Sequence, residues 1–294
     1  MAVTAAQVKE LREQTGAGMM ECKKALTETD GNLQEAVDLM RKKGQAKADK
    51  KASRTAAEGM VIVSMSDDAK QAVMVEVNCE TDFVAREAQF IEFVQQVADL
   101  ALAHKTGDVA ALMAMPVKAG ADKTVEERRK ELVLKIGENL QVRRVVYKQG
   151  EGVMGAYIHG GRIGVLVDMS AGDADLARDI AMHIVASQPL VVRAEELADD
   201  VLAKEREIFT AQALESGKPA EIAEKMVVGR IKKFLAEVSL YGQPFVKDPS
   251  QTVEQRLKEA NANVASFVRF AVGEGIEKEV SNFAEEVRAQ VQGQ

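Results

Sequence analysis

The sequence predicts an α+β protein, and three observations carry that reading. Two separate stretches, 60–78 and 152–170, alternate apolar and less apolar residues as strands do, and each is broken by a short turn. Much of the remaining chain repeats its apolar residues every three or four positions, as amphipathic helices do. The composition is 46% apolar but only 4% aromatic, with no Trp, which suits helices packed through Ala and Val. At 294 residues the chain is long enough to bury a large core and to hold more than one domain.

Residues 1–44 read as three short helices. Thr4 caps the first, which places Val8 and Leu11 on one face, and Thr15-Gly-Ala-Gly18 breaks it. The second carries Met19, Met20, Ala25 and Leu26 and ends at Asp30-Gly31. Asn32 caps the third, with Leu33, Ala36, Val37 and Met40 inside. A bundle this small is marginal alone. Two consecutive residues cannot both face one core, so Met19 and Met20 are either core filling or a soft docking patch beside the glycine turn.

Residues 45–58 read as a basic linker. Between 41 and 54 there are seven Lys or Arg (Arg41, Lys42, Lys43, Lys47, Lys50, Lys51, Arg54) against Asp49 alone. Such a run is a solvated, partly helical tether first and an RNA contact second.

Residues 59–140 form the first part of a core. Met60–Met65 and Gln71–Asn78 flank Ser66–Lys70 as a hairpin, with Val73, Val75 and Val77 in period two. The strand runs into Glu76-Val-Asn-Cys-Glu-Thr-Asp-Phe-Val-Ala-Arg86. Thr81 and Asp82 are good N-cap residues, so Phe83 is expected in the first turn of a helix through Phe90, Ile91, Val94, Val97 and Ala98 to about His104. A phenylalanine at such a bend is either a core plug or a probe for another protein's pocket. A short segment and a helix over Val125–Asn139 follow.

Residues 141–194 and 239–275 form the second part. A hairpin spans Gly152–Ser170 around the turn His159-Gly-Gly-Arg162, and a helix passes Ile180, Ile184 and Val185 to end before Pro189. At an offset of 92, Leu176-Ala177-Arg178 overlays Val84-Ala85-Arg86, so the core reads as two copies of a hairpin-plus-helix unit. The second copy has Asp175 where the first has Phe83, which predicts that Phe83 faces water.

Residues 195–238 are helical sequence interrupted at Ser216-Gly-Lys-Pro219. Val227, Ile231, Phe234 and Val238 form a coiled-coil-like seam, with Leu202 and Phe209 on the opposite arm. They predict a projecting antiparallel helical hairpin. Tyr241-Gly-Gln-Pro244 returns the chain to the core, Val264–Val272 reads as a strand and Gly273–Gly275 as a turn. Residues 276–294 are a C-terminal module with an amphipathic helix from Ile276 to Val291.

The chemistry that is missing narrows the function. His104, His159 and His183 stand apart, with no metal-ligand spacing, and His183 reads as a satisfied core residue. There is no nucleophile elbow, dinucleotide loop or Walker motif; Gly217-Lys218-Pro219 lacks the residues around it that a phosphate loop needs. The sequence thus predicts a binding protein, not an enzyme, with no cofactor and no metal. A net charge of −7 argues against general nucleic-acid binding. Cys22 and Cys79, far apart, point to a reducing compartment. No leader-like start and no apolar run of membrane length are visible, so a cytoplasmic protein without membrane contact is expected.

Two stretches, Leu11-Arg-Glu-Gln-Thr-Gly-Ala-Gly-Met-Met-Glu-Cys-Lys-Lys-Ala-Leu26 and Glu76–Arg86, resemble the two signatures of the bacterial elongation factor Ts family. His159-Gly-Gly-Arg-Ile-Gly-Val165 and Ser216-Gly-Lys-Pro-Ala-Glu-Ile-Ala-Glu-Lys-Met226 are also similar to that family. The resemblance implies a guanine-nucleotide exchange factor for elongation factor Tu. It implies a ubiquitin-associated-like (UBA-like) N-terminal domain, a two-part core, a coiled-coil hairpin and a C-terminal module. It places Thr81, Asp82, Phe83 and Val84 at the GTPase domain of the partner, where they dislodge magnesium. It gives Arg12, Met19, Met20 and His159 further contacts, and leaves open whether the complex dimerises. The competing expectation is an RNA- or ribosome-associated adaptor using residues 41–54 and the helical hairpin.

Overall fold

The structure, a computed structural model, describes residues 3–118, 120–215, 217 and 219–277. It is a mixed helix-and-sheet fold, as expected. Its described residues separate into two compact units. One takes residues 3–61, 75–145 and 271–277; the other takes 62–74 and 146–270.

The chain opens with α1 (Ala5–Thr15), α2 (Met19–Glu28) and α3 (Leu33–Lys51). Thr4 and Gln7 close a capping box on α1, and Gly16 ends it in the left-handed conformation at φ 67°. Val8, Leu11, Cys22, Ala25, Leu26 and Ala36 make the core of the three helices. The third helix does not stop near residue 44. It continues to Lys51, through the first half of the expected linker. The reason is packing against α6 (Val125–Ile136): Gly44 and Ala48 are buried, and a Cβ at Gly44 would lie 2.0 Å from Leu134 Cδ1. Small residues four apart let two helices approach. Part of the basic run is engaged within the protein. Arg41 pairs with Glu127, Lys43 with Glu28, and Lys51 donates to the Gly137 carbonyl. Asp49 receives Lys130 at 2.9 Å.

β1 (Glu58–Met65) and β2 (Gln71–Cys79) form the first hairpin, followed by α4 (Ala88–Ala103), α5 (Val109–Ala114), α6 and β3 (Gln141–Gln149). The sheet order is β1-β2-β3. α4 buries Phe90, Phe93, Val94, Val97, Ala98 and Ala101. The helix after the bend begins later than its sequence predicts. Val84–Arg86 is a single 3-10 turn, and α4 starts only at Ala88. The helix from Val125 stops at Ile136, where Gly137 takes φ 91°. β3 carries Arg143 and Arg144, and so escapes an apolar alternation test.

In the second unit β4 (Val153–His159) pairs antiparallel with β5 (Ile163–Ala171), from Val153 opposite Met169 to His159 opposite Ile163. Gly160 and Gly161 at φ 57° and 71° supply the two positive-φ positions of a tight hairpin turn, closed by Arg162 N–H to the His159 carbonyl at 3.0 Å. α7 (Ala174–Ser187) lies on this sheet, with Gly155 admitting the Ala177 backbone. α8 (Asp199–Glu215) and α9 (Ala220–Val238) pack in opposite directions. Phe209 meets Phe234 edge-on at 6.3 Å, and Arg230 donates to Gln212 at 2.6 Å. Val227 and Ile231 are buried in their seam. β6 (Pro244–Phe245), β7 (Asp248–Thr252) and α10 (Val253–Glu259) follow, short pieces absent from the sequence expectation. β8 (Asn263–Ala271) completes the sheet β4-β5-β8.

The two sheets share a strand order, a hairpin with a third strand beside its second, but three helices precede that third strand in the first sheet and four helices and two short strands in the second. The residue-level overlay at an offset of 92 does not survive. Leu176–Arg178 lies inside α7, whereas Val84–Arg86 is an isolated turn before α4. The expected C-terminal helix, 276–291, falls almost wholly outside the described residues. Among the described residues no helix is long and apolar enough to cross a membrane.

Candidate functional site

β2 delivers the chain to the bend. Its last residues are buried through Cys79, and then Glu80-Thr81-Asp82-Phe83 crosses the surface before Val84 plunges back at 5% exposure. Phe83 is 79% exposed, the largest exposure of any big apolar side chain described. Burying a phenylalanine is worth about 1.5–3 kcal/mol, so leaving one in water is a cost the fold carries for no internal gain. The expectation of a solvent-facing ring therefore holds, although the overlay that led to it does not.

The turn is held from below. The Glu80 and Thr81 amides donate to Glu138 Oε2 at 3.1 and 3.0 Å, and the Thr81 hydroxyl donates to Glu138 Oε1 at 2.7 Å. In return the Asn139 amide donates to Glu80 Oε1 at 2.6 Å. Asn139 Nδ2 then reaches the Ala52 and Arg54 carbonyls at 3.3 and 2.8 Å. Thr81 Oγ1 also accepts from the Val84 amide at 3.4 Å, so Thr81 caps the 3-10 turn and not a long helix. Asp82 caps nothing; its Oδ2 receives Arg86 Nη2 at 2.9 Å along the outside of the turn. Glu138 escaped the sequence reading, because no spacing rule ties a residue after one helix to a bend more than fifty positions earlier.

Beneath the turn Cys79 is fully buried and its thiol donates to the Thr81 carbonyl at 3.1 Å. Burial, with Glu138 and Glu58 adding negative charge nearby, pushes the thiol up to about 12. It remains protonated and serves as a small apolar plug.

The other expected contacts are surface residues. Met19 and Met20, 59% and 76% exposed, begin α2, which settles their reading away from core filling. Met20 borders a shallow depression with Glu21, Lys23, Lys24 and Thr27. Arg12 is exposed on α1, and its carbonyl accepts the capping Gly16 amide at 2.7 Å. His159 is exposed at the end of β4, in the second unit, with Nδ1 3.3 Å from Tyr157 Oη. The remaining histidine of interest is internal. His183 is fully buried, its Nδ1 accepting the Val246 amide at 3.1 Å and its Nε2–H donating to Gln243 Oε1 at 2.9 Å. Among the described residues no cluster of His, Cys, Asp or Glu could hold a metal.

A profile of the family described as Elongation factor TS matches residues 80–274, beginning at the bend itself. The whole chain is 59% identical to Elongation factor Ts of Thioalkalivibrio sulfidiphilus over 295 aligned positions, covering 100% of both. It is 59% identical to that of Methylococcus capsulatus over 292 positions, covering 99% of each. It is also 55% identical to Elongation factor Ts of Legionella pneumophila over 289 positions, 98% of each. A profile match over most of the chain and end-to-end relatives at this identity lead to one conclusion: the chain belongs to the elongation factor Ts family.

Proposed function

We propose that this protein is a guanine-nucleotide exchange factor for elongation factor Tu in translation elongation. Family membership supports the class of activity, and the exposed ring of Phe83 on its clamped turn is the observation that carries the mechanism. A GTPase holds its nucleotide through phosphate contacts and a magnesium ion that demands near-ideal octahedral geometry at about 2.0–2.1 Å. Asp82 and Phe83 enter an apolar gap in the GTPase domain and shift the elements that position that ion. The ring's burial supplies about 1.5–3 kcal/mol, which moves nucleotide affinity ~10–150-fold.

More than one ring is needed for larger acceleration. Met19, Met20 and Arg12 hold the GTPase domain in this reading, and His159 holds another part of the partner. Coupling between the two ligands is reciprocal: the factor weakens GDP binding by the ratio in which GDP weakens the factor's binding. A newly bound nucleotide therefore helps to eject the factor, and no covalent chemistry is required.

The test is to mix the protein with elongation factor Tu loaded with a fluorescent GDP analogue. Faster release that excess magnesium suppresses supports the reading; release at the spontaneous rate contradicts it. No observation favours the RNA-adaptor alternative, since Arg41, Lys43 and Lys51 are engaged within the protein.

A further inference from the structure

Glu138 lies outside the stretches whose likeness to the family was noted above, yet its carboxylate makes three polar contacts to the turn that carries Phe83. We infer that Glu138 is a positioning residue for nucleotide exchange, holding the backbone of Glu80 and Thr81 so that Phe83 is presented in one orientation. The inference rests on the exchange reading given above.

The geometry is specific. One carboxylate oxygen takes both amides of the bend, and the other takes the Thr81 hydroxyl. Those amides leave β2 at its last residue, Cys79, where the ladder no longer pairs them. Charge-assisted bonds to backbone amides are about twice as strong as neutral ones. Glu138 is itself placed by Gly137, whose left-handed φ of 91° turns the chain sharply off the end of α6. The Asn139 amide locks onto Glu80 Oε1 at 2.6 Å, so the two segments grip each other in both directions. Arg54 Nη1 also lies 3.5 Å from Glu80 Oε1, and Asp82 bonds Arg86 within the same exposed segment.

An exposed ring on an unsupported turn samples many orientations, and a wedge is effective only in the fraction that fits. Restricting the turn beforehand removes that penalty. The partner is held elsewhere as well, so loss of the clamp should appear in the rate within the complex and not in its formation.

The experiment is stopped-flow release of a fluorescent GDP analogue from elongation factor Tu, with the exchange factor varied to saturation. Glu138→Ala is expected to lower the maximal rate about tenfold, by reducing the competent fraction of the turn, at an unchanged half-saturating concentration. Glu138→Gln is expected to recover most of the rate. Its carbonyl can take the two amides, and its amide can donate to Thr81 Oγ1. In the Phe83→Ala background, Glu138→Ala should add no further slowing, because it acts through that ring.

Three results would overturn the inference. The Ala variant could keep the full maximal rate. It could only shift half-saturation, as loss of folded protein would. Or it could slow the Phe83→Ala protein by the same factor as the parent. If Phe83→Ala itself leaves release unchanged, the exchange reading fails and not the clamp alone.

Discussion

Glu76 is completely buried, and Arg143 meets it from the neighbouring part of the first unit with Nη1 3.1 Å from Oε1. Arg144 binds the other oxygen, and the Gly273 and Asn78 N–H groups donate to Oε1 at 2.9 and 3.1 Å. Burial alone pushes this carboxyl up, but the Gly273 amide, Arg144 and Asn78 together outweigh it and hold the pKa below the usual carboxylate range. A depressed folded pKa gives stability that is present above the unfolded value, about 4.3, and is lost as pH falls through the folded one. Glu76→Gln should cost about 3 kcal/mol at neutral pH, by stranding two guanidinium groups. It should also flatten the fall in stability below about pH 4.3. Urea unfolding at a series of pH values checks both; an unchanged acid slope in the variant would show that another group is responsible.

The contact of Gly44 with Leu134 makes a different prediction. In an exposed helix Gly→Ala stabilises by about 1 kcal/mol. Here the new Cβ would arrive 2.0 Å from Leu134 Cδ1 and 3.1 Å from its Cγ. Gly44→Ala is expected to destabilise by about 1–2 kcal/mol, because overpacking exceeds the propensity gain. A rise in melting temperature would mean that α3 does not pack on α6 in this way.

Burial pushes the pKa of His183 down, and the Gln243 bond only partly opposes it. The ring should remain neutral, through pH values below the ordinary histidine value of about 6.5. Stability from keeping it neutral is present above that value and is lost as pH falls through the lower folded pKa. NMR of the ring protons tests this directly, and a midpoint at or above about 6.5 would contradict it.

Met19 and Met20 face water, so replacing both by Ala should change stability by no more than about 0.5 kcal/mol each. In the exchange assay the double variant should raise the half-saturating concentration and keep the maximal rate. That is the reverse of the pattern expected for Glu138. A variant with parental half-saturation would remove these methionines from the partner contact.

Sequence periodicity reached the parts of the fold where one pattern dominates. Val73, Val75 and Val77 mark β2, and the glycine pair after His159 marks its turn. It missed β3, because Arg143 and Arg144 look like surface residues until Glu76 is found buried beside them. It ended α3 too early, because Lys50 and Lys51 read as solvent-facing while Ala48 is buried and Gly44 lies against Leu134 of α6. At the bend, Phe83 was legible as an aromatic ring where a polar residue is usual. Glu138 was not, since its contribution comes entirely from a contact across the fold.

The central claim is that the Phe83 ring drives nucleotide release. The most direct measurement is stopped-flow release of a fluorescent GDP analogue from elongation factor Tu with Phe83→Ala at saturating concentration. An exposed side chain contributes little to its own fold, so the variant should melt within about 0.5 kcal/mol of the parent. The account predicts release slowed ~10–150-fold, the equivalent of one buried phenylalanine. Release at the parental rate from a folded variant would contradict it.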